Sequence, residues 1–391
     1  MSKMIYFDNS ATTKISDEAL DKYIEASREY FANPSSLHSL GFIAEGKIKS
    51  AREAILETLR AKDDRIVFCG SGSEANNLAI FGRAFAKERF RARGKIITTV
   101  GEHSSVSESL KKLEKMGYEV AYISTRGGVI NLDELKEALT GNVILVSVMM
   151  VNNETGALYD VSAVSKLTRA LCKDAIIHVD CTQSYLKVPF TKASIGADLL
   201  TLSSHKIEGP KGVGALVIDK KVFTSGGISP IIVGGGQEDG LRSGTENVPA
   251  ICAFETAAKI GFRELSARYE STLALRSYLI EKIKSSEALS EIYITEPPKF
   301  APHIVNITVP NIKSETLLHF LSAHGIFVSS GSACSSNSNH SSSALISYGH
   351  TEKMADSSVR ISFSHRNTAE EIDEFISILK EATGSLARIK K

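Results

Sequence analysis

Asp198-Leu199-Leu200-Thr201-Leu202 runs straight into Ser203-Ser204-His205-Lys206, and Gly209-Pro210-Lys211-Gly212 follows at once. The apolar run reads as a buried strand that stops at a polar turn. A lysine just past such a strand end sits in a partly dehydrated place. There the ammonium form is disfavoured, its pKa falls, and the free amine can attack a carbonyl. Upstream, Ala175-Ile176-Ile177-His178-Val179 reads as another strand, ending in Asp180 with Gln183 one turn later. A strand-ending lysine and a strand-ending acid suit pyridoxal phosphate: the lysine holds the aldehyde as a Schiff base and the acid pairs with the pyridinium nitrogen. The plainer alternative is a solvated loop lysine, which is what most lysines are.

Around this pair the pattern alternates. Ile66-Phe68, Ile96-Thr99, Val120-Ile123, Val143-Met150, Ile176-Val179, Leu199-Leu202 and Ala215-Ile218 read as strands, separated mostly by helical periodicity. Such alternation predicts an α/β fold: a three-layer, mostly parallel sheet with helices on both faces, binding ligands at the carboxyl ends of its strands. Helices are expected from Asp17 to Tyr30 and from Ala44 to Leu59, and a helical, charged stretch from Val248 to Leu289. A smaller α/β pattern then follows: strand Val305-Val309, helix Glu315-His324, strand Ile326-Ser329, strand Val359-Phe363 and helix Ala369-Ala382. The expected division is a large domain over residues 14–260 and a small one combining residues 1–13 with 261–391. The Ser-rich stretch 329–343 reads as a mobile loop.

Composition narrows the class. With 391 residues the chain can bury a substantial core, and 42% hydrophobic with 23% charged residues is ordinary for a soluble protein. A net charge of +1 argues against nucleic acid or an anionic membrane as the partner. Five cysteines at no metal-like spacing suggest reduced thiols, a cytoplasmic setting and no metal site. No secretory leader is visible, and no apolar run approaches the ~20 residues of a membrane helix.

Other strand ends carry candidate residues. Gly70-Ser71-Gly72-Ser73-Glu74 follows strand Ile66-Phe68 and opens a helix near Ala75, so small residues and helix N–H groups could cradle a phosphate. Ser71 with Glu74 also fits a plain capping box. Ser203 and His205 lie at another strand end of the same sheet. Glu102-His103, after Ile96-Thr99, sets an imidazole on the same rim, where it could stack on a ring and move a proton. Cys334 sits among serines with little to bury it, while the other four cysteines lie in apolar segments. Arg360, on a strand, could grip a substrate carboxylate or simply pair with an acid.

These residues and their order resemble the cysteine desulfurases, of the pyridoxal phosphate fold-type I, class V aminotransferase group. The likeness spans nearly the whole chain: Tyr6-Phe7-Asp8-Asn9-Ser10-Ala11-Thr12-Thr13, Asn33-Pro34-Ser35-Ser36-Leu37-His38, Gly72-Ser73-Glu74-Ala75-Asn76-Asn77, Glu102-His103 and Asn152-Asn153-Glu154-Thr155-Gly156. Ser204-His205-Lys206, Gly235-Gly236-Gln237-Glu238, Arg242-Ser243-Gly244-Thr245 and Gly331-Ser332-Ala333-Cys334 continue it. The resemblance implies Lys206 as the Schiff-base lysine, Cys334 as the persulfide-forming nucleophile and His103 as the stacking, proton-moving imidazole. It implies Asp180 at the pyridinium nitrogen, Gln183 at the ring hydroxyl, and Gly72, Ser73, Ser203 and His205 at the phosphate. Thr245 corresponds to a threonine reaching the partner subunit's phosphate, which implies a homodimer; Asn153 and Arg360 fit the substrate side.

The implied activity is removal of sulfur from L-cysteine, leaving L-alanine, with delivery to an iron–sulfur scaffold or another acceptor protein. A selenocysteine lyase, a small-substrate class V aminotransferase and a non-catalytic scaffold are the alternatives, and retention of both Lys206 and Cys334 argues against the last two. Three departures stand out: Glu208, Asn339-His340-Ser341-Ser342 in place of a common Leu-Glu-Pro-Ser, and Ser364-His365 in place of a common Gly-Arg. They bear on how the loop is held and which acceptor docks.

Overall fold

The computed structural model describes residues 4–87, 93–330 and 342–386. The chain opens with a short strand, β1 (Ile5–Tyr6), and two helices, α1 (Asp17–Glu29) and α2 (Ser39–Thr58). Strands and helices then alternate: β2 (Arg65–Cys69), α3 (Gly72–Ala86), β3 (Lys95–Thr99), α4 (Ser104–Lys115), β4 (Glu119–Ile123) and α5 (Leu132–Ala138). Next come β5 (Val143–Met149), α6 (Val161–Leu171), β6 (Ile176–Asp180), α7 (Lys192–Ile195), β7 (Leu199–Ser203), β8 (Gly214–Ile218) and α8 (Lys220–Thr224).

The seven strands β2 to β8 form one sheet in the order β2-β8-β7-β6-β5-β3-β4. Only β8 runs against its neighbours. Helices pack on the sheet, so its inner strands are largely apolar and buried; β5 is buried along its whole length, while the edge strand β4 is mostly open. The carboxyl ends of β2, β3, β5, β6 and β7 share an edge, and the reversed β8 brings Gly214 to it. A Cβ on Gly214 would lie 2.5 Å from the Ser71 carbonyl carbon, so only glycine lets the turn into α3 settle against the sheet.

The helical stretch after β8 divides at Glu264 into α9 (Val248–Arg263) and α10 (Leu265–Lys284). Helix α9 packs on α1 and α2. A second core is built from β9 (Tyr293–Thr295), β10 (Ile304–Thr308), α11 (Ser314–Ala323), β11 (Ile326–Phe327), β12 (Ser329–Ser330), α12 (Ser343–Tyr348), α13 (Glu352–Asp356), β13 (Ser358–Ser362) and α14 (Ala369–Leu386). Four of its strands make an antiparallel sheet, β12-β13-β10-β9. The expected strand Ile326-Ser329 is in fact two: β11 pairs with β1, and the chain then changes partner so that β12 pairs with β13. Helix α2 starts at Ser39 rather than Ala44 because the His38 imidazole accepts the Gly41 N–H at 3.3 Å, a cap that does not use the usual Ser, Thr, Asp or Asn. No helix among the described residues is long and apolar enough to cross a membrane.

Phe7 fixes the amino terminus to this second core, with its ring edge-on to Phe363 at 5.3 Å and to Phe375 at 6.0 Å. It has no exposed surface. Truncation leaves a cavity that neighbouring elements cannot fill, so Phe7→Ala is expected to cost about 3–5 kcal/mol, read as a lowered urea midpoint. A loss below about 1 kcal/mol would show that β1 is not anchored there.

Candidate active site

A cavity of about 420 Å³ opens at the shared strand edge. Gly72, Ser73, His103, Asn153, Asp180, Gln183, Ser203, His205, Lys206 and Arg360 all line it, although they come from segments spread over nearly 290 positions of chain. The other two candidates stand apart from this set for different reasons. Thr245 is exposed and borders a separate cavity with Arg242 and Glu246, and Cys334 lies outside the described residues.

One end of the cavity is built for an anion. Helix α3 starts at Gly72, three residues earlier than expected, because Ser71 caps it by accepting the Glu74 N–H at 3.1 Å. Glu74 does not close a capping box. Its carboxylate takes the Gly70 N–H at 2.9 Å and the Arg242 guanidinium at 2.7 Å, pinning the turn. The N–H groups of Gly72 and Ser73 have no acceptor within the helix, and they open on the cavity. Opposite them the buried Ser203 hydroxyl has no hydrogen-bond partner, and a Cβ on Gly72 would press to 3.3 Å from the Ser203 Cβ. An orphaned hydroxyl facing free N–H groups across a space kept open by a glycine fits a phosphate. His205 adds an imidazole whose pKa is pushed down to about 4 by burial and then by Lys206, Lys187 and Lys211, so at neutral pH it serves as an uncharged donor.

The floor suits a pyridine ring. The buried Asp180 carboxylate accepts the Asn76 amide at 2.8 Å on one oxygen and the Thr182 N–H at 2.9 Å on the other, which fixes its plane. Gln183 donates to the Ser10 carbonyl at 2.9 Å. The Lys206 amine donates to the carbonyls of Ser10 at 2.5 Å and Ala11 at 2.7 Å. His103 caps α4 and borders the cavity at once: Nδ1 accepts the Ser105 N–H at 3.2 Å, which leaves the proton of the neutral ring on Nε2. Burial is the main cause lowering its pKa, Lys206 adds to it, and Asp180 opposes. Amine, anion cradle and braced acid together fit pyridoxal phosphate.

The remaining wall carries Arg360. Its guanidinium donates to the Asn153 carbonyl and to Asp8, each at 2.8 Å, while the buried Nε has no partner. Glu154 also lines the cavity, accepts the Ser342 hydroxyl at 2.5 Å, and has its pKa raised to about 7 by burial against the pull of Ser342 and Arg360. Sequence reasoning did not assign roles to Asp8, Ser10, Asn76 or Glu154. Asn76 is one helical turn beyond Gly72, a spacing that points it at the same cavity as the phosphate loop. The Ser10 contacts are made by a backbone carbonyl, which leaves no mark in the side-chain pattern.

Glu102 is the support beneath His103. One oxygen accepts the Thr99 hydroxyl at 2.5 Å and the Met149 N–H at 2.9 Å, tying β3 to β5; the other has no partner. Burial raises its pKa to about 8, against those two donors. The folded protein therefore holds a proton there that the unfolded chain releases above its ordinary value of 4.5. Stability from this group is full below pH 4.5 and lost as pH rises through about 8. Glu102→Gln keeps the acceptor and removes the titration. Urea unfolding across that window is expected to show the variant gaining on the parent as pH rises, by roughly 4–5 kcal/mol at the upper end. Parallel curves would contradict it.

The aminotransferase class-V profile matches residues 5–375 of the chain. A NifS/IcsS protein homolog of Lactobacillus delbrueckii subsp. bulgaricus is 37% identical over 390 residues, covering 99% of each chain. The cysteine desulfurase IscS of Dictyoglomus turgidum is 35% identical over 392 residues, covering 100% of this chain and 97% of its own. Among solved structures, a NifS-like protein superposes with a TM-score of 0.90 at 34% identity, over 98% of this chain and 100% of its own. With this cavity at the strand edge and similarity along its full length, the chain belongs to the aminotransferase class-V family of pyridoxal phosphate enzymes, on its cysteine desulfurase branch.

Proposed function

We propose that the protein is a cysteine desulfurase, taking sulfur from L-cysteine to leave L-alanine and a persulfide on Cys334. The observation that carries this reading is the single cavity that gathers an anion cradle, a braced acid, the Lys206 amine and Arg360. The name of the Dictyoglomus turgidum relative supports the choice of reaction.

Gly72, Ser73, Ser203 and His205 would hold the phosphate of pyridoxal phosphate, Asp180 its ring nitrogen, Gln183 its ring hydroxyl, and Lys206 its aldehyde carbon. The bound cofactor supplies an electron sink that acidifies the substrate's α-hydrogen and weakens the bond from Cβ to sulfur. Arg360 orients the substrate carboxylate, with Asp8 and the Asn153 carbonyl holding the guanidinium in place. Once the incoming substrate amine has taken its place on the cofactor, the released Lys206 amine is positioned to take the proton from Cα. His103, uncharged and carrying its hydrogen on Nε2, moves a proton at the substrate's reacting end. The Cys334 thiolate attacks the substrate sulfur: an S–S bond forms, the C–S bond breaks, and its electron pair stays with the carbon that becomes the methyl group of alanine. Ser330, four residues before Cys334, lines the cavity.

The persulfide is passed to an iron–sulfur scaffold or another acceptor protein. We further propose a homodimer, in which Thr245 serves the partner's phosphate cradle. Two features support it: Thr245 is exposed and does not border its own chain's cavity, and the stretch from Phe31 to Ile43 leaves Phe31, Leu37, Leu40, Phe42 and Ile43 exposed. Residues 14–260 form the cofactor domain in this reading, and residues 1–13 with 261–391 the second.

Adding L-cysteine to the purified yellow enzyme should yield alanine and place one extra sulfur atom on the peptide containing Cys334, seen by mass spectrometry. Cys334→Ala should keep the visible band and release essentially no sulfide. A normal sulfide yield from that variant would rule out the thiol's role.

A further inference from the structure

Beneath Gln183 lies a second amine that the reaction described above does not use. Lys187 donates to the Gln183 carboxamide oxygen at 3.2 Å. It reaches this place through a backbone that L side chains seldom adopt: Leu186, just before it, has φ of +55°. Leu186 is buried, and its side chain closes on α9, where a Cβ added to Gly261 would lie 3.2 Å from Leu186 Cδ1. Packing thus holds a strained turn whose visible result is to direct Lys187 under the cofactor cavity.

The hydrogen bonds around Gln183 have a fixed sense. A lysine ammonium can only donate, so the Gln183 oxygen must face it; the Ser10 carbonyl can only accept, so the Gln183 nitrogen must face that. Ser10 in turn accepts from Lys206. Lys187, Gln183, the Ser10 carbonyl and Lys206 therefore form one connected set.

We propose that Lys187 is a positioning residue for the cofactor: it orients the Gln183 amide N–H toward the ring hydroxyl, and its ammonium form disfavours a proton on the nearby Lys206 nitrogen. The proposal rests on the reading of the cavity as a pyridoxal phosphate site. The charge is poised to act, because burial first, and Lys206 and Arg360 after it, push the Lys187 pKa down to about 7, while Glu208 opposes. His205 and His303 also face Lys187, both held largely uncharged at neutral pH by burial. Arg268 and His365 complete the charged surroundings through their pairing with Glu208. A further cavity of about 50 Å³ is bordered by Lys187, Lys206, Glu208 and His303. Both nitrogens of the buried His303 ring, which also borders it, lack protein partners.

Both effects of Lys187 act in one direction. Losing the ammonium removes a repulsion, and freeing the Gln183 amide removes a donor from the ring hydroxyl; each makes the Lys206 nitrogen easier to protonate. The test is the pH at which the visible band of the holoenzyme converts, recorded without substrate. Lys187→Met should raise that midpoint by about half a pH unit or more, and Lys187→Arg should return it to the parent value or below. Lys187→Gln, which keeps a donor for Gln183 but no charge, should also raise it. A midpoint unchanged in both the Met and Gln variants, or an Arg variant that behaves like Met, would overturn the proposal. A parent protein with no visible band at all would instead remove the cofactor reading, a separate and recognisable failure.

Discussion

The turn after β1, clasped between the second core and the segment that carries Lys206, is the constraint on which the site depends. Ser10 and Ala11 belong to the turn after β1, whose strand pairs with β11 in the second core. The turn is tied there again, since the Ser10 N–H donates to the Ser362 hydroxyl at 2.8 Å and the Asn9 amide to the Ser362 carbonyl at 3.0 Å. On the other side, the Thr13 hydroxyl donates to the His205 carbonyl and accepts the Glu208 N–H, both at 2.8 Å. The segment carrying Lys206 is thereby held against both cores. Position matters more here than strength: a reaction that needs an amine, an acid and an anion cradle within one small molecule's length gains most from fixing them relative to one another.

Two of the departures noted in the sequence prove to be a single feature. The buried Glu208 carboxylate lies 3.3 Å from Arg268, 3.2 Å from Arg366 and 3.7 Å from His365. Its backbone, with φ of +65°, is itself unusual for a residue bearing a side chain. A carboxylate withdrawn from water is tolerated only with such partners, and removing one of them strands a charge. Glu208 and Ser364-His365 therefore belong together: they join the segment after Lys206 to the segment after β13.

Much of this was legible in the sequence. The strands of the large sheet follow from apolar runs buried on both faces, and their alternation with helices gives the parallel arrangement and hence the shared edge. Strand ends then foretell that Lys206, Asp180, Ser203 and His103 meet, because each lies at or within a few residues of the end of a largely apolar run. What could not be read has physical causes. The Ser10 and Ala11 carbonyls belong to every sequence alike. The His38 cap uses a residue type that seldom caps. The division of Ile326-Ser329 into β11 and β12 depends on which strand each half meets, and an apolar pattern does not encode the partner. Lys187 looked like any lysine four positions after a glutamine; its placement comes from the left-handed turn at Leu186.

The central claim is that one amine, Lys206, stands where the cavity's acid, anion cradle and imidazole converge. Reducing the yellow holoenzyme with borohydride and mapping the modified peptide tests this most directly. The account predicts the cofactor's mass on the peptide containing Lys206. Finding it on another lysine, Lys187 included, would contradict the account.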